Sequence, residues 1–191
     1  MDDALSRVIV IGTAGAGKTT LASALSSLLA VPHIELDAIH WGPDWTPLER
    51  DTFRAQVEAR LQGDRWIVDG NYSSVRDLVW PRATAVVWLN YSFARAYWRV
   101  FKRTLRRIII REELFGGNVE TFRAQFLSRE SLLWWVIKSH RRHRQIYRDL
   151  FDSRAFPQLK LVELTDPHQT QAFLEALARR NDTSNQVDPH L

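Results

Sequence analysis

Four consecutive apolar residues, Val8-Ile9-Val10-Ile11, run straight into a glycine-rich polar stretch, after which leucines recur at positions 21, 25, 28 and 29. The unbroken apolar run reads as a strand buried on both faces. The leucine spacing reads as one face of a helix over 18–30, stopped by Val31-Pro32. The same alternation continues along the chain. Short apolar runs predict strands at 33–36, 65–68, 83–89 and 159–164. Helical spacing predicts helices at 49–62, 92–113 and 169–179, and one or two more over 119–152 with a break near Ser128. Five strands with intervening helices predict an α/β fold, a three-layer sandwich around a five-stranded parallel sheet, and ligands of such sheets bind beyond the carboxyl ends of the strands. No linker interrupts the pattern, so residues 1–180 are expected to form one domain, followed by a frayed polar tail over 181–191.

The polar stretch after the first strand is GTAGAGKTT, residues 12–20, which satisfies G-x-x-x-x-G-K-[ST] between a predicted strand and a predicted helix. Glycines at 12, 15 and 17 let the backbone take dihedrals closed to other residues, so successive N–H groups turn inward onto phosphate oxygens at the start of the helix. Gly12, Thr13, Ala14, Gly15, Ala16, Gly17 and Thr20 are therefore the candidate cradle for a nucleoside triphosphate. Lys18 is placed to reach the β- and γ-oxygens and Thr19 to ligate Mg²⁺.

Parallel strands bring their carboxyl-terminal residues together whatever their separation in sequence, which singles out Asp37, Asp69, Asn90 and Asp166. Asp69 leaves the apolar run Arg65-Trp66-Ile67-Val68 and suits the magnesium shell beside Thr19; a cap for the turn at Ser73-Ser74 is the other reading. Asp37, in ELDAIHW, is placed to take a proton from a substrate hydroxyl, to orient an acceptor phosphate, to join the metal shell, or simply to cap the next turn. His40 lies between Ile39 and Trp41 and reads as packing or as polar lining. Trp41 and Trp45 flank a Gly-Pro turn, either as a wall for an acceptor ring or as pins for the loop. Asp166, in Thr165-Asp166-Pro167, falls where the base of a nucleotide would rest, although turn chemistry accounts for it equally.

Charge is distributed unevenly. Residues 92–148 carry 14 Lys and Arg against 4 Asp and Glu, whereas the net charge of the chain is only +4. Arginines at 95, 99, 103, 106, 107 and 111 recur mostly at three- and four-residue spacing along the 92–113 helix. Residues 92–150 are accordingly expected to form a helical lid, with Gly116-Gly117 as a hinge and Arg103, Arg107, Arg111 and Arg123 as candidates to close over a transferring phosphoryl group. Charge alone does not choose between a triphosphate, a phosphorylated acceptor and nucleic acid. The chain has no cysteine, so disulfides, thiolate metal sites and cysteine nucleophiles are excluded together. The N-terminus lacks a basic-then-apolar signal, and no apolar run approaches the ~20 residues of a bilayer span, so no membrane partner is expected and the cytoplasm is the expected compartment.

Taken together, GTAGAGKTT, ELDAIHW, WIVDGNY, RATAVVWLN and the arginine-rich helix resemble the adenylate-kinase-like P-loop proteins of the DNA topology modulation type, within the nucleoside monophosphate kinase superfamily. The resemblance spans about residues 7–178 and implies a sheet of order 2-3-1-4-5, ATP with Mg²⁺, Lys18 and Thr19 on phosphate and metal, and a mobile lid. Adenylate kinases of this superfamily follow the aspartate-glycine pair with an aromatic, a proline and an acceptor-gripping arginine, whereas here Asp69-Gly70 leads to Asn71-Tyr72-Ser73. Arg76 or Arg82 is left to replace that arginine. The pairing of Asp37 with His40 is similar to kinases of sugar acids and other hydroxyl acceptors in the same superfamily. The sequence thus points to an ATP- and Mg²⁺-dependent phosphotransferase, with Asp37, His40, Trp41, Gly70, Asn71, Tyr72 and Arg76 toward a small acceptor. The alternatives are a nucleotide-dependent DNA-binding protein and an NTPase switch with water as the acceptor.

Overall fold

Residues 5–121, 132–153 and 155–186 are described by the computed structural model. The apolar run becomes strand β1 (Arg7–Gly12), whose residues Val8 to Ile11 are at most 1% exposed, as a strand covered on both faces requires. β1 pairs in parallel with β3 (Trp66–Asp69) on one side and β4 (Ala85–Leu89) on the other. The edges are β2 (His33–Glu35), beside β3, and β5 (Lys160–Leu164), beside β4. The sheet order is therefore β2-β3-β1-β4-β5, all parallel. Chain direction across the sheet reverses at β1, and this creates the crevice at the carboxyl ends into which the 12–19 loop projects.

Helices cover both faces. α1 (Lys18–Leu29) and α7 (Pro167–Gln186) bury Leu21, Leu25 and Leu177 against Val8, Val10 and Val87. On the other face Phe53 and Val57 of α3 (Arg50–Arg60), Val79 of α4 (Arg76–Val79) and Tyr147 of α6 (Leu132–Asp152) pack on Ile9, Ile11, Val68 and Trp88. α5 (Phe93–Ile110) packs beside α6, and its buried Ala96 and Val100 press on the 12–19 loop at Gly15.

Four boundaries differ from the sequence expectation. β2 stops at Glu35, and residues Leu36–His40 form a one-turn helix, α2, that buries Leu36 and Ile39, so Asp37 sits on a helical turn two residues beyond the strand end. α5 ends at Ile110, where Arg111 turns left-handed (φ +48°). The expected helix from 119 is replaced there by an antiparallel bridge between Glu113 and Val119 that closes a turn at Phe115–Gly117. The expected break near Ser128, and Arg123 with it, lie outside the described residues. α7 continues to Gln186, well into the stretch expected to be frayed, and Asn181 Nδ2 donates to Leu28 O at 2.7 Å. Gly116 is no open hinge: a Cβ there would lie 2.7 Å from the Gly42 carbonyl carbon, and Asn118 ties the turn down through bonds to Trp45 N and Gly42 O. Among the described residues no helix is long and apolar enough to cross a membrane.

Candidate active site

The phosphate loop is held in place by its neighbours. Gly15 has φ +76° and Gly17 φ +94°, both in the left-handed region where glycine is favoured, and Ala16 N donates to Thr13 O at 3.1 Å to close the turn. Gly17 is the N-cap of α1, with no side-chain cap and no acidic residue in the first turn, so the helix offers its amide donors to an anion. Lys18 folds back with Nζ 3.4 Å from Thr13 O. Desolvation holds its pKa below the ordinary lysine value; Asp37, Asp69 and Glu35 pull the other way, and Arg103 adds to the lowering.

A second group forms where α1 meets β2 and β3. Thr19 Oγ1 donates to Asp69 Oδ2 at 2.7 Å and lies 3.3 Å from Glu35 Oε1. Asp69 is 2% exposed, and its other oxygen, Oδ1, is 3.0 Å from His33 Nε2. Glu35 is held above the ordinary glutamate range by burial and then by Asp69 and Asp37, with the Thr19 bond opposing. A hydroxyl and crowded carboxylate oxygens are the donor set of a hard cation, and a cation among them relieves that crowding, so these residues fit Mg²⁺. Among the described residues there is no cluster of three or more His, Asp or Glu able to hold a metal by themselves.

The residues expected to face an acceptor lie beside it. Tyr72 OH donates to Asp37 Oδ1 at 2.6 Å, and burial followed by the Asp37 charge pushes the phenol far above its ordinary range, so it remains a donor. His40 is surrounded by Trp41, Phe53 and Tyr72 at ring separations of 4.8, 5.1 and 4.6 Å; burial lowers its pKa, Asp37 raising it by less. His40 is thereby a packed ring. Trp41 meets Trp45 edge-on at 5.9 Å. Asn71 Nδ2 donates to Gly12 O at 2.6 Å, joining the 70–72 turn to the phosphate loop. Gly70 brings this turn against Leu36, where a Cβ would meet the leucine Cβ at 2.8 Å. Arg76 lies over the Trp80 ring at 5.7 Å, half-buried, and Arg82 is exposed.

α5 places its arginines unequally. Arg99 Nη1 reaches Ala16 O at 3.4 Å and the guanidinium lies over the Tyr91 ring, so Arg99 borders the phosphate loop. Arg103 is exposed but has charged neighbours close by: desolvation and then Arg107 lower its pKa while Glu120 and Asp37 oppose. Arg107, expected to meet phosphate, is instead committed to acids: Nη1 is 3.2 Å from Glu120 Oε1 and Nε 3.5 Å from Glu112 Oε1. Asp166 also has a local task, its Oδ1 accepting from His168 N at 2.8 Å and Gln169 N at 3.0 Å as the cap of α7. Asn90, the remaining strand-end residue, donates to Glu163 across the β4–β5 pair.

Two acidic-site residues escape the sequence reading, His33 and Glu35. Their signal is the two-residue period of a strand, which puts 33 and 35 on one side, and the register that aligns Glu35 with Asp69.

Fold and site together define a P-loop α/β domain: a 2-3-1-4-5 parallel sheet with a glycine-rich loop at its first strand and carboxylates at the neighbouring strand ends. No family model and no curated protein sequence matches the chain. Solved structures do. The shikimate kinase from Bacteroides thetaiotaomicron superposes with a TM-score of 0.53 over 92% of this chain and 98% of that one, at 17% identity. A gluconokinase from Sinorhizobium meliloti 1021 gives 0.48 over 94% and 97% at 20% identity, and a sugar kinase from Janibacter sp. HTCC2649 gives 0.47 over 96% and 95% at 18%. The overall fold is that of the shikimate kinase structure.

Proposed function

We propose that this protein is an ATP- and Mg²⁺-dependent phosphotransferase that moves the γ-phosphoryl group onto a hydroxyl of a small acceptor. One observation carries the reading: Lys18 lies within electrostatic reach both of Asp69, which accepts from Thr19, and of Asp37, which accepts from Tyr72, so a triphosphate and metal side and an acceptor-side base adjoin. The backbone of Gly12 to Gly17, with Thr20 on the first turn of α1, cradles the triphosphate, and the 165–167 turn lies toward the base. Thr19 and Asp69, with Glu35 beside them, would hold Mg²⁺, which when bound neutralises charge on the β- and γ-oxygens.

In the reaction the acceptor oxygen forms a bond to the γ-phosphorus as the bond from γ-phosphorus to the bridging oxygen breaks, leaving ADP. Tyr72 occupies Asp37 Oδ1, so the hydroxyl proton passes to Oδ2. Lys18 offsets charge on the leaving diphosphate, and Arg103, placed within electrostatic reach of both Lys18 and Asp37, meets the equatorial oxygens. Asn71, Gly70, His40, Trp41 and Arg76 shape the acceptor pocket. The turn of Arg99 and Arg107 toward the loop and toward acids of this chain supports a kinase over the nucleic-acid reading, which instead predicts DNA affinity falling steeply with salt. Phosphate transfer from labelled ATP, screened across nucleosides, nucleoside monophosphates and sugar acids, tests the proposal. Transfer to a hydroxyl of the nucleosides or sugar acids, reduced roughly 10²–10³-fold in Lys18→Ala, is the expected result, and transfer to the phosphate of a nucleoside monophosphate would contradict it. Hydrolysis indifferent to every acceptor would replace the kinase by an NTPase.

A further inference from the structure

Asp69 is almost fully buried, and the partners of its two oxygens define a chain of contacts: His33 Nε2 at 3.0 Å on Oδ1, Thr19 Oγ1 at 2.7 Å on Oδ2. We propose that His33 is the positioning residue of the magnesium site, fixing the Asp69 carboxylate so that Oδ2 is presented to Thr19 and the cation. This rests on the metal role given to Asp69 above.

A carboxylate only accepts hydrogen bonds, so His33 donates from Nε2 whether it is neutral or doubly protonated. The bond spans two strands, from the first residue of β2 to the last of β3, and the sheet fixes both ends: His33 pairs with Ile67 and Glu35 with Asp69. An aspartate carboxylate pivots about a soft terminal torsion. With Oδ1 held, rotation is stopped and Oδ2 keeps its place above the first turn of α1. Without that donor a buried oxygen is left unpaired, and the carboxylate turns to find another partner. Groups that orient a metal-ligating side chain typically change metal affinity 10–100-fold when removed, with little direct effect on the rest of the site. Glu35 does not substitute. It reaches Thr19 from the same strand, but as an acceptor it cannot bond to Asp69 unless protonated.

Mn²⁺ is the probe, its free concentration read by electron paramagnetic resonance in the presence of the full chain and a non-hydrolysable ATP analogue. His33→Ala is expected to weaken Mn²⁺ about 10–100-fold, with analogue affinity in excess chelator changed by less than about 3-fold. His33→Gln, whose Nε2 takes the place of the imidazole Nε2, is expected to stay within about 3-fold of wild type, and His33→Asn, which is too short, to behave like Ala. If the alanine variant does not fold, the Gln and Asn pair decides the matter. A histidine that merely fills the sheet edge would lower the melting temperature and leave Mn²⁺ binding unchanged, which overturns the proposal, as does a Gln variant no better than Asn. Wild type that takes up no Mn²⁺ with the analogue overturns it too. His33-dependent Mn²⁺ binding in a protein that phosphorylates no acceptor would remove the kinase reading alone and uphold this one.

Discussion

At Gly15 the backbone is left-handed, and a Cβ would stand 2.5 Å from both Ala96 O and Val100 Cγ2. A methyl group therefore forces the phosphate loop and α5 apart. Gly15→Ala is expected to cost on the order of 1–3 kcal/mol in urea unfolding and to weaken MgATP at least about tenfold, because the collision sits where the loop curvature is set. The proposed function gives Asp37 the acceptor proton, so Asp37→Asn is expected to lower kcat by roughly 10²–10⁴ with KM for ATP changed little. An equal rise in KM for ATP would place Asp37 in the nucleotide site instead. The loop residues and Asp69 are legible in the sequence because their spacing is local and sterically demanding. His33 and Glu35 are not, since their meaning comes from cross-strand register, which no local pattern carries.

Among the elements, α5 shows most clearly what periodicity reveals. Its arginines fall on a recognisable stripe, yet the role of each depends on its surroundings: the loop for Arg99, the charges of Asp37 and Glu120 for Arg103, Glu112 and Glu120 for Arg107. Arg103→Ala is expected to lower kcat about 10²-fold or more with unchanged stability. Arg107→Ala should do the reverse, stranding Glu120, which is 5% exposed, and destabilising by on the order of 3–5 kcal/mol, a loss that Glu120→Ala in the same chain largely restores. Paired urea titrations and steady-state kinetics separate the two. Helix α2 was not legible for a different reason. Five residues with Leu36 and Ile39 buried are too short to display a helical period, and they continue the apolar alternation of β2. The Phe115–Gly117 turn was read as a hinge from its two glycines, but it is held by Asn118 against the 42–45 loop, a contact across more than seventy residues.

For the molecule as a whole, three histidines that folding desolvates set the acid limit of stability. His40, His140 and His143 all have pKa values lowered chiefly by burial; Asp37 opposes at His40 and the bond to Tyr91 O at His140, while Lys18, Arg142 and Arg76 add to the lowering at His143. A histidine whose folded pKa lies below its unfolded value near 6.5 binds fewer protons when folded. Its contribution is therefore complete above about pH 6.5 and declines as pH falls through that value toward the folded pKa. Glu35, raised by folding, works in the opposite sense, one group against three. The melting temperature is expected to fall between pH 8 and pH 5.5, and the fall is expected to be shallower in His140→Gln; a flat profile would contradict the assignment. The α/β class and its five strands were readable from alternating apolar runs, and the strand order followed from the family resemblance, in agreement with the sheet found here. Sequence did not reveal how far α7 continues or which acids pair with α5, because both are settled by packing between distant segments. The central claim is that the 12–19 loop and the neighbouring carboxylates bind a magnesium-bound triphosphate. Calorimetric titration of ATP with Mg²⁺ tests it most directly. One site per chain, lost in Lys18→Ala and weakened when Mg²⁺ is withheld, is the predicted result, and absence of any heat of binding from wild type would contradict the account.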